Sequence, residues 1–170
     1  MHHQMKRLLI TLFILLTGNC LYAQQASGWL RYPALSPDGT AIAFVYKGDL
    51  YKVPATGGTA RRLTSGAAHE FMPVWSHNSR SIAYAGNQAG NFDIYIIAAD
   101  GSDEKRLTFH SVDEYPYDFS EDDQQVIFGA AHMGDVISRQ FPSDAQPQLY
   151  SVPAAGGREK QWLVTSAENA

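Results

Sequence analysis

Short apolar runs alternate with polar turn residues from residue 30 onward, and the apolar period is two rather than 3.6. Runs without polar interruption after a turn predict buried strands. These runs are Ala41–Tyr46, Ser81–Ala85 and Gln125–Phe128. Runs that alternate polar and apolar residues predict neighbouring strands with one covered face. These are Asp49–Val53, Asp93–Ile97 and Gln148–Val152.

Two further strands are predicted around each of these pairs. Arg61–Thr64 and Lys105–Thr108 are polar with one leucine, a pattern typical of a charged outer edge strand. The innermost strand is predicted from Tyr32–Leu35, Met72–Trp75 and Tyr115–Phe119. The sequence therefore predicts four-stranded antiparallel meanders that follow one another along the chain.

The landmarks of these meanders recur with a spacing of 40 and 44 residues. A serine is followed eight residues later by an aromatic, then by a second aromatic, a glycine six residues further on, and a closing Leu-Thr or a near relative. The copies are Ser36, Phe44, Tyr51, Gly57 and Leu63–Thr64; Ser76, Tyr84, Tyr95, Gly101 and Leu107–Thr108; Ser120, Phe128, Tyr150, Gly156 and Leu163–Thr165. Such a period is typical of propeller blades.

The predicted fold is all-β: a β-propeller of about three four-stranded antiparallel blades in an incomplete ring, since closed propellers have four to eight blades. The blades are expected at about 29–70, 71–114 and 115–170. Trp75, Tyr84, Phe119 and Phe128 are expected in the core between blades.

Residues 1–23 have the pattern of a secretory signal peptide. Lys6 and Arg7 precede the apolar run Leu8–Leu16, and cleavage is expected after Ala23. The run is too short to span a bilayer as a helix of the mature protein. The signal peptide therefore predicts an exported protein, periplasmic or extracellular. A lipoprotein anchored through Cys20 is the alternative.

Charge and cysteine content narrow the possible functions. The formal charge of −4 becomes −6 when Lys6 and Arg7 are removed, which argues against a nucleic-acid-binding surface. Cys20 is the only cysteine and leaves with the signal peptide, so no disulfide is expected in the mature chain. We predict neither a metal nor a cofactor; Asp100–Asp103 lacks the ligand-rich loop that calcium requires.

The ordered motifs resemble a known family. Pro-x-(Leu/Trp)-Ser-Pro-Asp-Gly, Tyr-x-Val, Gly-Gly and Arg-x-Leu-Thr resemble the blade repeat shared by TolB and the propellers of tricorn-like proteases, over Trp29–Ala170. Copies two and three depart from Ser-Pro-Asp-Gly. Lys47–Pro54, Asn91–Asp93 and Arg106–His110 resemble the N-terminus of exported tricorn-like serine peptidases. The resemblance implies a propeller that precedes a peptidase domain of the C-terminal-processing type.

The sequence offers no catalytic constellation of its own. There is no Gly-x-Ser-x-Gly elbow, and His69–Pro73 lacks the second histidine of a zinc-protease helix. The chain also ends where a fourth inner strand would begin, so we expect an incomplete propeller, closed by its own further domains or by another copy.

The candidate binding site is an acidic rim at one mouth of the channel. In a meander of this kind, the link from an outer strand to the next inner strand opens at the same end as the link between the second and third strands. A long insertion, Gly129–Pro147, belongs to the second kind and is expected to overhang the rim. The predicted binding residues are His69, Glu70, Asp113, Glu114, Arg139 and Phe141.

Such a rim would bind the basic or N-terminal end of a peptide. The alternative is that the carboxylates are solvated or cap the backbone of a neighbouring blade.

Three functions are compatible with these motifs. The first is a non-catalytic exported propeller that gates or docks peptides for a peptidase domain outside the chain. The second is a TolB-like module that binds a protein partner at the envelope. The third is a propeller enzyme that uses paired rim carboxylates with raised pKa values.

Overall fold

The computed structural model describes residues 29–131 and 147–166. In these two ranges, twelve strands form three four-stranded antiparallel sheets, each ordered as in the sequence. Blade 1 contains β1 (Leu30–Leu35), β2 (Ala41–Tyr46), β3 (Asp49–Pro54) and β4 (Arg61–Arg62). Blade 2 contains β5 (Glu70–Trp75), β6 (Ser81–Gly86), β7 (Asp93–Ala98) and β8 (Lys105–Arg106). Blade 3 contains β9 (Glu114–Phe119), β10 (Gln125–Ala130), β11 (Gln148–Pro153) and β12 (Lys160–Ser166). The predicted fold class, three blades of an unclosed propeller, is confirmed.

The two aromatic landmarks of each repeat form one stacked pair inside each blade. They lie directly opposite each other on the second and third strands. The ring centroids are 5.7–5.8 Å apart in Phe44–Tyr51, Tyr84–Tyr95 and Phe128–Tyr150. Cross-strand aromatic pairs of this kind stabilise a sheet and fix its register.

Each inner strand carries an irregularity of register at or beside its proline. In β1 the shift lies between Arg31 and Ala34, and in β5 between Phe71 and Val74. Proline has no amide hydrogen to donate to the ladder, so a bulge is the place in a paired strand that tolerates it. A bulge also bends the strand and changes the direction in which neighbouring side chains leave it.

Apolar packing between consecutive blades forms the core. Trp75 of blade 2 is only 6% exposed, and its indole N–H donates to the Ala34 carbonyl of blade 1 at 2.9 Å. Tyr84, Phe119 and Phe128 are also buried, which confirms the core positions predicted from the repeat. One cluster joins blades 1 and 2, and a second joins blades 2 and 3.

One side of blade 1 is not covered by any of the described residues. Leu35 takes the register position of Trp75 and Phe119, because each of the three lies opposite the second residue of its partner strand. Trp75 and Phe119 are buried against the preceding blade, whereas Leu35 is 60% exposed. Within the described residues, the arc of blades is therefore open beside blade 1.

A polar interblade joint also connects each blade to the next. The Glu70 amide donates to the Gly48 carbonyl at 2.7 Å, and the Glu114 amide donates to the Phe92 carbonyl at 2.8 Å. Thr64 Oγ1 accepts from the Leu50 amide at 2.9 Å and donates to Glu70 Oε2 at 3.0 Å. The first residue of an inner strand is thus bonded to the end of the preceding blade.

An aspartate–arginine pair lies beside each of the first two joints. Asp49 pairs with Arg62 at 2.6 Å, and Asp93 pairs with Arg106 at 2.9 Å. In blade 3, Tyr150 lies opposite Gln161 as Tyr51 lies opposite Arg62. Register shifts in β12 follow, so this blade has a different outer edge.

Blade 3 replaces the ion pair by two amides. Gln161 donates a side-chain hydrogen bond to Gln148, which stands at the start of β11 as Asp49 stands at the start of β3. The outer edge of blade 3 therefore differs in chemistry from the outer edges of blades 1 and 2.

Burial raises the pKa of Glu70 from 4.5 to about 7. The hydrogen bond from Thr64 lowers this pKa, whereas the negative charges of Asp49 and Glu104 raise it further. The residue is only 3% exposed, so the ionised carboxylate loses most of its hydration.

We expect the free energy of unfolding to fall as pH rises from about 4.5 to about 7, because folded Glu70 holds its proton to higher pH than the unfolded chain does. Glu70→Gln should remove this contribution, which is on the order of 3 kcal/mol at most. Urea unfolding across this pH range measures it. Glu121→Gln, in an exposed turn, is the control; equal pH slopes in both variants would contradict the prediction.

The two ion pairs should differ in their effect on stability. Asp93 is completely buried, and burial raises its pKa while Arg106 opposes that rise. Arg106→Ala removes the partner and should cost about 3 kcal/mol. Arg62→Ala, beside the more exposed Asp49, should cost about 1 kcal/mol. Chemical denaturation of both variants tests this order, and equal losses would refute it.

Candidate functional site

The links that were predicted to share one rim do lie together. His69, in the link between β4 and β5, donates its amide to Asn87 Oδ1 in the link between β6 and β7, at 2.7 Å. The Phe92 amide donates to Asp113 Oδ1 at 2.9 Å. The ends of β10 and β11 meet β9 at the same rim, because Ala130 pairs with both Glu114 and Gln148.

A cleft of about 540 Å³ opens at this rim between blades 1 and 2. We call it the rim cleft. Its lining is mainly apolar and consists of Trp29, Arg31, Tyr32, Val45, Lys47, Gly48, His69, Glu70, Phe71 and Phe92. The start of both inner strands and the turn between β2 and β3 therefore contribute to one concave surface.

Four aromatic rings run from the rim cleft across all three blades, and we call them the aromatic strip. The strip consists of Tyr32, Phe71, Phe92 and Tyr115. Phe71 is its centre, with ring centroids 4.3 Å from Tyr32, 5.6 Å from Phe92 and 6.1 Å from Tyr115. All four side chains are partly exposed. The strip offers aromatic area to a ligand at small entropic cost, since each ring is already held by its neighbours.

Two cations stand at the blade 1 end of the strip. The Arg31 guanidinium lies 5.2 Å from the centre of the Trp29 ring, and Lys47 Nζ lies 5.3 Å from that of Tyr46. Trp29 is 78% exposed. Within residues 29–131 and 147–166, neither Arg31 nor Lys47 has a carboxylate within 4 Å. Both charges are therefore available to a ligand.

The wall of the rim cleft depends on a glycine. Gly48 has φ +93°, and a Cβ atom at this position would lie 2.7 Å from His69 Nδ1. The imidazole therefore occupies space that any other residue at position 48 would fill. Glu70 lies beneath, with its carboxylate bonded to Thr64 rather than directed into solvent.

The six residues predicted from the sequence have different surroundings. His69 and Asp113 are exposed, whereas Glu70 is 3% and Glu114 0% exposed. His69 and Asp113 are thus the exposed side chains of this set, while the amides of Glu70 and Glu114 bond to the preceding blade. Arg139 and Phe141 lie outside the described residues. Peptide binding by these residues stays a prediction.

Sequence reasoning missed the aromatic strip and the two cations. Arg31, Phe71 and Tyr115 occupy one register position, opposite Val45, Ala85 and Gly129. The signal lay in the residues just before each inner-strand proline, but the apolar pattern alone assigned these strands to the interior.

Neither a metal site nor a membrane span emerges from the described residues. Among residues 29–131 and 147–166, no group of three His, Cys, Asp or Glu side chains is placed to hold a metal ion. The same ranges contain no helix that is long and apolar enough to cross a membrane.

Known proteins share parts of this sequence. The chain is 31% identical over 107 residues to the uncharacterized protein Atu1656 of Agrobacterium fabrum, covering 60% of this chain and 36% of that protein. It is 37% identical over 81 residues to a TolB homolog of Chlorobaculum tepidum, covering 45% of this chain and 18% of that protein. The chain thus spans little more than a third of the first relative and less of the second.

Solved structures share the fold. TolB from Acinetobacter baumannii matches 79% of this chain and 32% of its own, with a TM-score of 0.63 and 23% identity. The tricorn protease matches 76% of this chain and 14% of its own, with a TM-score of 0.57 and 15% identity. Identities this low establish the fold and nothing further.

The family is established by a match over residues 27–170, which includes all three blades. The open arc of four-stranded blades agrees with that match. The chain belongs to the tricorn protease N-terminal beta propeller domain family.

Proposed function

We propose that this propeller segment is exported and docks peptides for a tricorn-like serine peptidase whose catalytic domain lies outside the chain. The observation that carries the proposal is the rim cleft with its aromatic strip. Partly exposed rings gathered from three blades at one mouth of the arc favour binding over a purely structural role, since single scattered apolar residues are the norm elsewhere on a surface.

The size and lining of the rim cleft suit a peptide. Its volume of about 540 Å³ lies in the range of small-molecule and peptide side-chain pockets. The rings of Phe71 and Tyr32, 4.3 Å apart, can cover apolar side chains, while His69 and Asp113 flank the strip with polar groups. Binding here would place an extended segment near the inner strands, where a peptidase domain beyond the propeller could receive it.

A TolB-like module that binds a protein partner is the second candidate. Stretches 37% and 33% identical to TolB homologs of Chlorobaculum tepidum and Chlorobium chlorochromatii favour it. In that case the same rim would bind a segment of a folded partner.

Export of the protein is supported by Lys6 and Arg7, which precede the apolar run Leu8–Leu16 as in a signal peptide.

Phe71→Ala should weaken peptide binding about tenfold or more, because Phe71 contacts the other three rings of the strip. The measurement is calorimetric titration of the chain with a blocked, uncharged peptide that carries a Phe-Ala-Phe core. Trp162→Ala is the matched control, since Trp162 is 53% exposed on blade 3 and lies outside the rim cleft.

Circular dichroism would show that Phe71→Ala remains folded, and Phe71→Leu gives a milder test if it does not. Equal binding by wild type and Phe71→Ala would refute docking at the strip. Binding of a folded envelope protein without any binding of short peptides would favour the TolB-like function.

A further inference from the structure

The charge of the rim cleft contrasts with that of the whole chain. The chain has 13 Lys and Arg against 17 Asp and Glu. At the blade 1 end of the cleft, however, Arg31 and Lys47 are both exposed. In the part of the chain that the structure describes, they have no carboxylate partner. Unpaired cations beside exposed aromatic rings point to an anionic group on the ligand.

We infer that the rim cleft selects peptide segments in which an apolar or aromatic side chain is flanked by acidic side chains, with the carboxylates placed at Arg31 and Lys47. The inference rests on the proposed peptide docking and adds the charge class of the ligand. It differs from the basic peptide that the acidic-rim hypothesis predicted.

The register explains why the positive charge lies at this end. Arg31 stands at the register position where blades 2 and 3 carry Phe71 and Tyr115, so at this position blade 1 presents a guanidinium instead of a ring. Lys47 lies in the tight turn before Gly48, with φ 53°, and its side chain remains exposed at the mouth. One cation comes from the inner strand and the other from the adjoining turn.

The acidic groups around the cleft do not cancel this charge. Glu70 is buried and bonded to Thr64, and Asp49 is paired with Arg62 at 2.6 Å. Asp113 is exposed, but its Oδ1 accepts from the Phe92 amide on the blade 3 side of the strip. Glu104, whose charge also acts on Glu70, accepts from the Tyr84 hydroxyl and from the Gln88 amide. Among the described residues, the blade 1 end therefore keeps two cations without a carboxylate partner.

Arg31 is also prepared to bind a carboxylate. The guanidinium carbon lies 5.2 Å from the centre of the Trp29 ring, a distance at which the ring attracts the cation. A planar guanidinium can donate two parallel hydrogen bonds to one carboxylate. An adjacent apolar side chain of the ligand would then reach the rings of Tyr32 and Phe71.

Calorimetry with three blocked peptides tests the inference on the whole chain. Each peptide is acetylated and amidated and carries a Phe-Ala-Phe core, flanked by two Glu, two Gln or two Lys residues. At low ionic strength, the Glu peptide should bind about tenfold more tightly than the Gln peptide, since each exposed ion pair adds up to about fivefold. The Lys peptide should bind most weakly.

The matched variants separate charge from packing. Arg31→Gln with Lys47→Gln should remove the preference for the Glu peptide, so that its affinity and that of the Gln peptide become equal within about twofold. Arg158→Gln with Lys160→Gln makes the same charge change on exposed residues of blade 3 and should preserve the preference. Loss of the preference in this control would overturn the inference, because it would show a general charge effect.

The remaining outcomes are also decisive. Equal affinities for the three peptides would overturn the inference and leave peptide docking intact. Tightest binding of the Lys peptide would overturn it and assign the charge recognition to the Asp113 side. Absence of binding by all three peptides would overturn both the inference and the proposed function.

Discussion

The joint between consecutive blades holds this molecule together. A four-stranded sheet must bury its apolar surface against another element, and blade 2 does so against blade 1 on one side and blade 3 on the other. The amides of Glu70 and Glu114 bond to the preceding blade, while Trp75 and Phe119 fill the apolar space beside it. On the side of blade 1 that no other described blade covers, Leu35 is 60% exposed.

The joint also builds the candidate site. The Gly48 carbonyl accepts a hydrogen bond from the Glu70 amide. Because Gly48 has no side chain, the His69 ring can also pack against it at the wall of the rim cleft. The hydrogen bond between blades 1 and 2 and the shape of the cleft therefore depend on the same residues. The second joint carries Phe92 at the corresponding place, because its carbonyl accepts from the Glu114 amide, and the Phe92 ring extends the aromatic strip.

The three blades are similar but not interchangeable. Blade 1 contributes Arg31 where the others contribute rings, and blade 3 contributes Gln148 and Gln161 where the others have an ion pair. Because the rim residues differ from blade to blade, the surface at this mouth of the arc is asymmetric. That asymmetry would give a bound peptide a defined direction.

The strands, the blades and the residues that stack within them could all be predicted from the amino-acid sequence, because each depends on local alternation and on a period of about forty-four residues. The same pattern located His69 and Glu70 at one rim. It could not show that Glu70 and Glu114 are buried, because a glutamate at the start of a strand is expected to be exposed until the neighbouring blade is in place. The aromatic strip likewise depends on tertiary structure. Its four rings come from three blades, and only the packing of the blades brings the centroids of neighbouring rings to 4.3–6.2 Å from each other.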